Sequence, residues 1–147
     1  MGKVRAKLAA MGLSLPEPWP IRKLERAVRT GNLVFTSGAG SKIRGKLGAG
    51  LDIRTGCEAA RECGLQLLAN LEAEIGDLDN VRRVVKLLAM VNSAPDFGDQ
   101  PAVANGCTDL LIELYGEAAG KHARSAVGMA ALPNGCAVEI EMIVEVA

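Results

Sequence analysis

The chain has 147 residues, 49% hydrophobic and 23% charged, which is enough for one domain with a real core and too few for two. Seventeen basic residues balance seventeen acidic ones, so stable nucleic-acid binding is not expected, although a transient RNA contact at a local basic patch stays open. One Trp, one Tyr and two Phe are too few to stack single-stranded bases.

No apolar run approaches the ~20 residues of a membrane span. Residues 3–12 read as a short amphipathic helix ending at Gly12; Pro16 and Glu17 follow too soon for a leader peptide. Leu15 to Pro20 carries three prolines and reads as an extended connector. Residues 24–29 and 32–37 are expected as two strands around the turn signal Thr30-Gly31-Asn32. Gly38 to Gly50, rich in glycine and carrying Lys42, Arg44 and Lys46, reads as a mobile loop.

Cys57 to Ile75 predicts a helix. Ala60, Gly64, Leu67, Leu68, Leu71 and Ile75 recur as one buried stripe. Thr55 is the expected cap, with Glu58 completing a capping box, and Gly76 is the expected stop. Val81 to Val91 is mostly apolar and β-branched, the pattern of a central strand buried on both faces. Asn92 to Gln100 reads as a loop. Pro101 to Tyr115 repeats the helical spacing at Val103, Leu110, Leu111 and Leu114, and Gly116 should end it. Strands are expected at 124–131 and 137–146. The last alternates Val138, Ile140, Met142, Val144 and Val146 with Glu139, Glu141 and Glu145. This order predicts a single α+β domain over residues 1–147, with residues 1–20 as an N-terminal helix and connector. Two main helices should pack on one face of a mixed sheet.

Cys57, Cys63, Cys107 and Cys136 form no Cys-x-x-Cys pair, and His122 is the single histidine, so no metal site is expected. Reduced thiols fit a cytoplasmic protein. Gly40 to Leu47 nearly matches a phosphate-binding loop. However, Leu47 replaces the hydroxyl that would hold magnesium, and Gly48 and Gly50 follow where a helix should start. His122 could act as a general base, but no Ser or Cys nucleophile stands at a meaningful spacing, and an exposed loop position is the simpler reading.

Arg124 is the stronger candidate. Ala126, Gly128 and Ala130 share its strand face by the two-residue period, leaving room beside a guanidinium that cannot lose its proton. Such a fork grips a carboxylate through two parallel charge-assisted hydrogen bonds. If Leu132 pairs with Ala137 across the Pro133-Asn134-Gly135-Cys136 turn, Ala130 opposes Glu139 and Glu139 joins the Arg124 face. A slip of one residue puts Glu139 behind the sheet. The competing reading of Arg124 is an ordinary ion pair at a strand edge.

These residues resemble the Rid/YjgF family, also called the endoribonuclease L-PSP family. The shared motifs are Gly31-Asn32-Leu33-Val34-Phe35-Thr36-Ser37-Gly38, Ala123-Arg124-Ser125, Leu132-Pro133 and Val138-Glu139-Ile140-Glu141. A strand ending at Val91, then Asp96-Phe97 and Asn105, matches the family's middle section, and the N-terminal helix resembles a longer branch. The resemblance implies a chorismate-mutase-like, YjgF-like fold and a homotrimer with inter-subunit clefts. It implies hydrolysis of enamines and imines of the 2-aminoacrylate type to a 2-oxo acid and ammonia, with no cofactor. Arg124 would bind the substrate carboxylate, Glu139 would activate water, and Ser37 and Asn105 would line the cleft. Leu24, Ala39 and Ala126 stand where the family often has tyrosine, glutamine and cysteine. Two other functions stay open: an endoribonuclease or translation inhibitor, and a non-catalytic binder of small carboxylates or chaperone-like protein.

Overall fold

The computed structural model describes all 147 residues. Its elements, in order, are α1 (Lys3–Ala10), β1 (Ala27–Thr30), β2 (Leu33–Thr36), β3 (Ala39–Gly40), β4 (Lys46–Leu47), β5 (Gly50–Leu51), α2 (Ile53–Ile75), β6 (Val81–Asn92), α3 (Gln100–Gly120), β7 (Ala123–Met129) and β8 (Val138–Val146). Six strands make one mixed sheet in the order β1-β2-β8-β6-β7, with β3 also paired to β8. All pairings in it are antiparallel except β6 with β7, which α3 joins as a crossover. This is the α+β arrangement expected, with α2 and α3 on one face.

That face holds the core. Leu87, Ala89 and Val91 of β6 and Val138, Ile140, Met142 and Val144 of β8 point into it, against Leu67, Leu71, Leu110 and Leu111 from the helices. The helices approach closely because glycine lies at their contact. A Cβ on Gly106 of α3 would meet the Cys57 carbonyl oxygen at 2.1 Å, and one on Gly64 of α2 would meet Cys107 Sγ at 3.0 Å.

Several expectations change. The loop from Gly38 to Gly50 is pinned rather than mobile. Ser41 is buried, its hydroxyl donates to the Ile43 carbonyl at 2.6 Å, and Leu47 is fully buried. Glu62 accepts from the Lys42 amide at 2.6 Å. The α2 helix starts a turn early, because Asp52, not Thr55, caps it by accepting from the Thr55 amide at 2.8 Å. Gly76 ends α2 at φ 84°, as expected. Gly116 breaks the α3 helix at φ 80°, but a further turn continues to Gly120. β6 is central but not buried on both sides. Its residues alternate between fully buried and half-buried or exposed, because helices cover only one face of the sheet.

The N-terminal helix is fastened by a borrowed cap. The Asp79 carboxylate accepts from the backbone amides of Lys3 (2.6 Å) and Val4 (2.9 Å), Arg5 pairs with Glu72, and Val4 and Leu8 enter the core. The two amide bonds hold Asp79 below its ordinary carboxylate range. A lowered folded-state pKa means this fastening is complete above about pH 4 and is lost as pH falls through the lowered value. Asp79→Ala should therefore expose residues 1–13 to limited proteolysis at neutral pH while the remaining fragment stays folded; equal protease resistance in the two proteins would refute the docking.

Candidate active site

Arg124 lies on β7, an edge strand, beside Leu87 of β6, so its side chain projects to the helix side of the sheet. There α3 receives it. Nη1 donates to Asn105 Oδ1 at 2.8 Å and to Thr108 Oγ1 at 3.0 Å. Asn105 and Thr108 are three residues apart on the helix, so both reach the same spot. Both N–H groups of Nη1 are thus used, and three guanidinium N–H groups remain. The ion-pair reading of Arg124 fails, because the chain's salt bridges are Arg5–Glu72, Arg54–Glu58 and Lys121–Glu117. The guanidinium is held only by neutral acceptors.

The contact continues. Thr108 Oγ1 lies 3.0 Å from His122 Nε2, and His122 Nδ1 lies 2.7 Å from the Gly120 carbonyl. His122 is therefore not an exposed loop residue. Burial holds its pKa below the ordinary imidazole value; the Gly120 bond opposes this, and the charge of Arg124 adds to the lowering to a smaller extent.

Glu139 belongs to a second group. It pairs with Met90 of β6 and Gly40 of β3, and its neighbours Val138 and Ile140 fill the helix-side core. Glu139 consequently faces the other side of the sheet. A Cβ on Gly38 would come within 2.7 Å of Glu139 Oε2, so the motif glycine is what lets the carboxylate lie over the backbone. Glu139 lines a crevice of about 400 Å³ with Trp19, Lys42, Arg44 and Cys136. Ser37 adjoins this group through Gly38. Its hydroxyl donates to the Glu25 carbonyl at 2.6 Å, and it lines a second crevice of about 300 Å³ with exposed Leu24.

The four residues singled out from sequence thus form two sets, Arg124 with Asn105 and Glu139 with Ser37, on opposite faces. The expected hairpin does not exist. β7 and β8 each pair with β6 rather than with each other, so Ala130 does not oppose Glu139. The physical reason is that β6 has ladder groups on both edges, and the α3 crossover lays β7 parallel on the far one. Thr108 was missed as a site residue; its spacing from Asn105 on a helix was the available signal.

The remaining groups are structural. All four cysteines are free, and burial pushes Cys57 and Cys63 up and Cys107 up to about 12, so these three are poor nucleophiles. No three His, Cys, Asp or Glu side chains converge. Lys46 of the phosphate-loop-like segment is committed, donating to Asn92 Oδ1 and the Ala130 carbonyl at 2.7 Å each. No helix of the chain is long and apolar enough to cross a membrane.

The family model of endoribonuclease L-PSP matches residues 14–146. The chain belongs to this family. The endoribonuclease L-PSP family, or Rid/YjgF family, has the chorismate-mutase-like fold seen here. Protein TCP17 of Trypanosoma cruzi is 44% identical over 151 residues, covering 98% of this chain and 94% of TCP17. The crystal structure of protein Atu1372 of Agrobacterium tumefaciens is 36% identical, with a TM-score of 0.93 over 99% of this chain and 93% of that one. RidA from the Antarctic bacterium Psychrobacter sp. PAMC 21119 is 25% identical, with a TM-score of 0.57 over 88% and 94%. The L-PSP match leaves out α1 and includes the residues of both groups described above.

Proposed function

We propose that the protein hydrolyses small enamines and imines that carry a carboxylate, of the 2-aminoacrylate type, to a 2-oxo acid and ammonia without a cofactor. One observation carries this reading. Arg124 is buttressed by Asn105 and Thr108 but has no carboxylate partner, so it presents three N–H donors to a ligand that must supply the anion.

The chemistry asks little of the protein. The imine carbon is already electrophilic, so a positioned water and a base are sufficient. The water oxygen bonds to the imine carbon, its proton passes to Glu139, and the C=N electron pair moves to nitrogen. Glu139 returns that proton to the nitrogen, and the hydroxyl proton follows through the same carboxylate, so the adduct expels ammonia as the C–N bond breaks and the carbonyl forms. An enamine substrate enters this sequence after a proton adds to its β-carbon and one leaves its nitrogen, giving the imine. Arg124 and Glu139 cannot share one substrate within one chain, because the sheet separates them. The reading therefore requires a cleft between copies, in which Arg124 of one copy faces Glu139 of another. Two features support the homotrimer the family resemblance implies. Arg124 is on an edge strand that a second copy can approach, and the helix-free face leaves Val28, Leu33 and Phe35 exposed.

The test is to generate 2-aminoacrylate with a helper enzyme, add this protein and follow loss of the imine. Acceleration supports the proposal. Saturable pyruvate binding without turnover would replace it with a carboxylate binder. RNA cleavage lost in Arg124→Ala would replace it with the endoribonuclease activity named by the family model, a reading the neutral charge and the commitment of Lys46 disfavour. A finer check uses Gly38→Ala. The added methyl meets the far end of a flexible side chain, so the fold should persist while Glu139 is displaced. The expected result is an unchanged melting curve and a kcat lower by about 10–100-fold, the scale of an ångström misplacement. Wild-type kcat in this variant would remove Glu139 from the mechanism.

A further inference from the structure

Resting on the reading of Arg124 as the carboxylate anchor, we propose that Thr108 and His122 are positioning residues that make anion capture proton-linked. The hydrogen-bond directions leave one arrangement. The Gly120 carbonyl can only accept, so His122 Nδ1 must carry a proton and donate to it across 2.7 Å. In the neutral ring Nε2 then accepts, and the partner 3.0 Å away is the Thr108 hydroxyl, which must donate. That leaves the Thr108 oxygen to accept from Arg124 Nη1 at 3.0 Å. Donation runs in one direction, from guanidinium to hydroxyl to imidazole to carbonyl. The neutral imidazole sets where the hydroxyl proton lies, and the hydroxyl oxygen in turn holds the guanidinium.

Protonation breaks this order. Nε2 becomes a donor, the Thr108 oxygen must accept from both sides, and its own proton loses its partner. Two positive charges then flank one oxygen atom. An anion seated on the free edge of Arg124 offsets that repulsion. Anion binding should therefore favour the protonated ring, and by reciprocity the protonated ring should favour the anion. Arg124 is the charged neighbour that acts on the ring, and Asp109, beside Thr108 on α3, is exposed. Lys121 pairs with Glu117 on α3, and Lys86 of β6 donates to Ser125 at 3.4 Å, on the sheet face away from Arg124.

His122 is the only histidine, so its ring can be followed without ambiguity in protein carrying 15N-histidine. The full chain is titrated between pH 5 and 8, with and without pyruvate as the probe anion, and pyruvate binding is measured by calorimetry. Four results are expected. The free protein at pH 7 shows a neutral ring protonated at Nδ1. Saturating pyruvate raises the titration midpoint by about half a unit, equivalent to ~3-fold tighter pyruvate binding at the acid end than at pH 8. His122→Gln still binds pyruvate but loses this pH dependence. Thr108→Val weakens pyruvate binding and Thr108→Ser restores it, which a merely packing role for the methyl would not produce.

An Nε2-protonated ring in the free protein at pH 7 overturns the relay. Pyruvate that binds but leaves the midpoint unmoved overturns the linkage while sparing the anchor. Pyruvate that does not bind, or binds equally to Arg124→Ala, overturns the anchor reading and the linkage together.

Discussion

Arg124→Ala should lower kcat/KM for 2-aminoacrylate hydrolysis by about 10²–10³-fold, the ~3–4 kcal/mol that follows from truncating one partner of a hydrogen-bonded charge pair. The loss should not come from unfolding. Arg124 is half-buried on an edge strand, and its two hydrogen bonds go to Asn105 and Thr108 on the helix surface rather than into the core. The variant should therefore elute in the same oligomeric form as the parent and melt within a few degrees of it. Arg124→Lys should recover only part of the activity, because an ammonium lacks the planar fork and cannot keep both neutral acceptors while binding a carboxylate side-on. Steady-state kinetics on the three proteins, beside size-exclusion chromatography, decides the matter. Full activity of Arg124→Ala would remove the anchor from the mechanism.

Gly106→Ala should produce the largest loss of stability among single-methyl additions to the helix pair. Two effects oppose each other. Alanine is the better helix former by ~1 kcal/mol, and that gain is available at a mid-helix position. Against it, the new methyl would lie 2.1 Å from the backbone carbonyl oxygen of Cys57, and a backbone cannot rotate away as a side-chain tip can. The helices must move apart, and overpacking of this kind costs ~1–3 kcal/mol or more. The steric term wins because the obstacle is main chain. With the steric cost at the top of that range, a net loss of about 2 kcal/mol is expected, or roughly 4–8 °C in melting temperature for a chain of this size. Gly98→Ala is the control, since no atom lies within 4 Å of its added methyl, and it should melt within about a degree of the parent. Equal melting of the two variants would show that the helix pair yields to the added methyl at no cost and would refute the steric argument. Gly106 also neighbours Asn105, so any shift of α3 carries Asn105 and Thr108 off Arg124, and substrate affinity should fall with stability.

Much of the fold was legible because it depends on local patterns. The stripe from Ala60 to Ile75 and the alternation from Val138 to Val146 report which residues face a core, whatever that core contains. Gly31, at φ 58° in the turn between β1 and β2, and Gly76, at φ 84° after α2, stand where the chain needs a left-handed step. The Asp52 cap was misread because Thr55 and Glu58 also satisfy the capping pattern, and the choice depends on where the preceding loop delivers the chain. The glycine-rich segment looked mobile for a similar reason. Composition counts its glycines but cannot see that Leu47 is buried or that Lys46 finds three oxygen acceptors from distant parts of the chain.

The candidate site divides along the same line. Sequence by itself named Arg124, Ser37, Asn105 and Glu139 as candidates, though not Thr108, because a guanidinium followed by small residues, and motifs such as Thr36-Ser37-Gly38 and Val138-Glu139-Ile140, are contiguous on the chain. It could not determine which of these groups meet. That depends on strand order, and strand order arises from long-range pairing that leaves no local trace. Only the tertiary structure revealed that β6 lies between β7 and β8, which sends Arg124 to the helix side and Glu139 to the other. Only it brought Thr108 and His122, fourteen residues apart on either side of the break at Gly116, to within hydrogen-bond distance of each other. Periodicity decides which face a residue occupies relative to its neighbours; the sheet's topology decides what stands opposite that face.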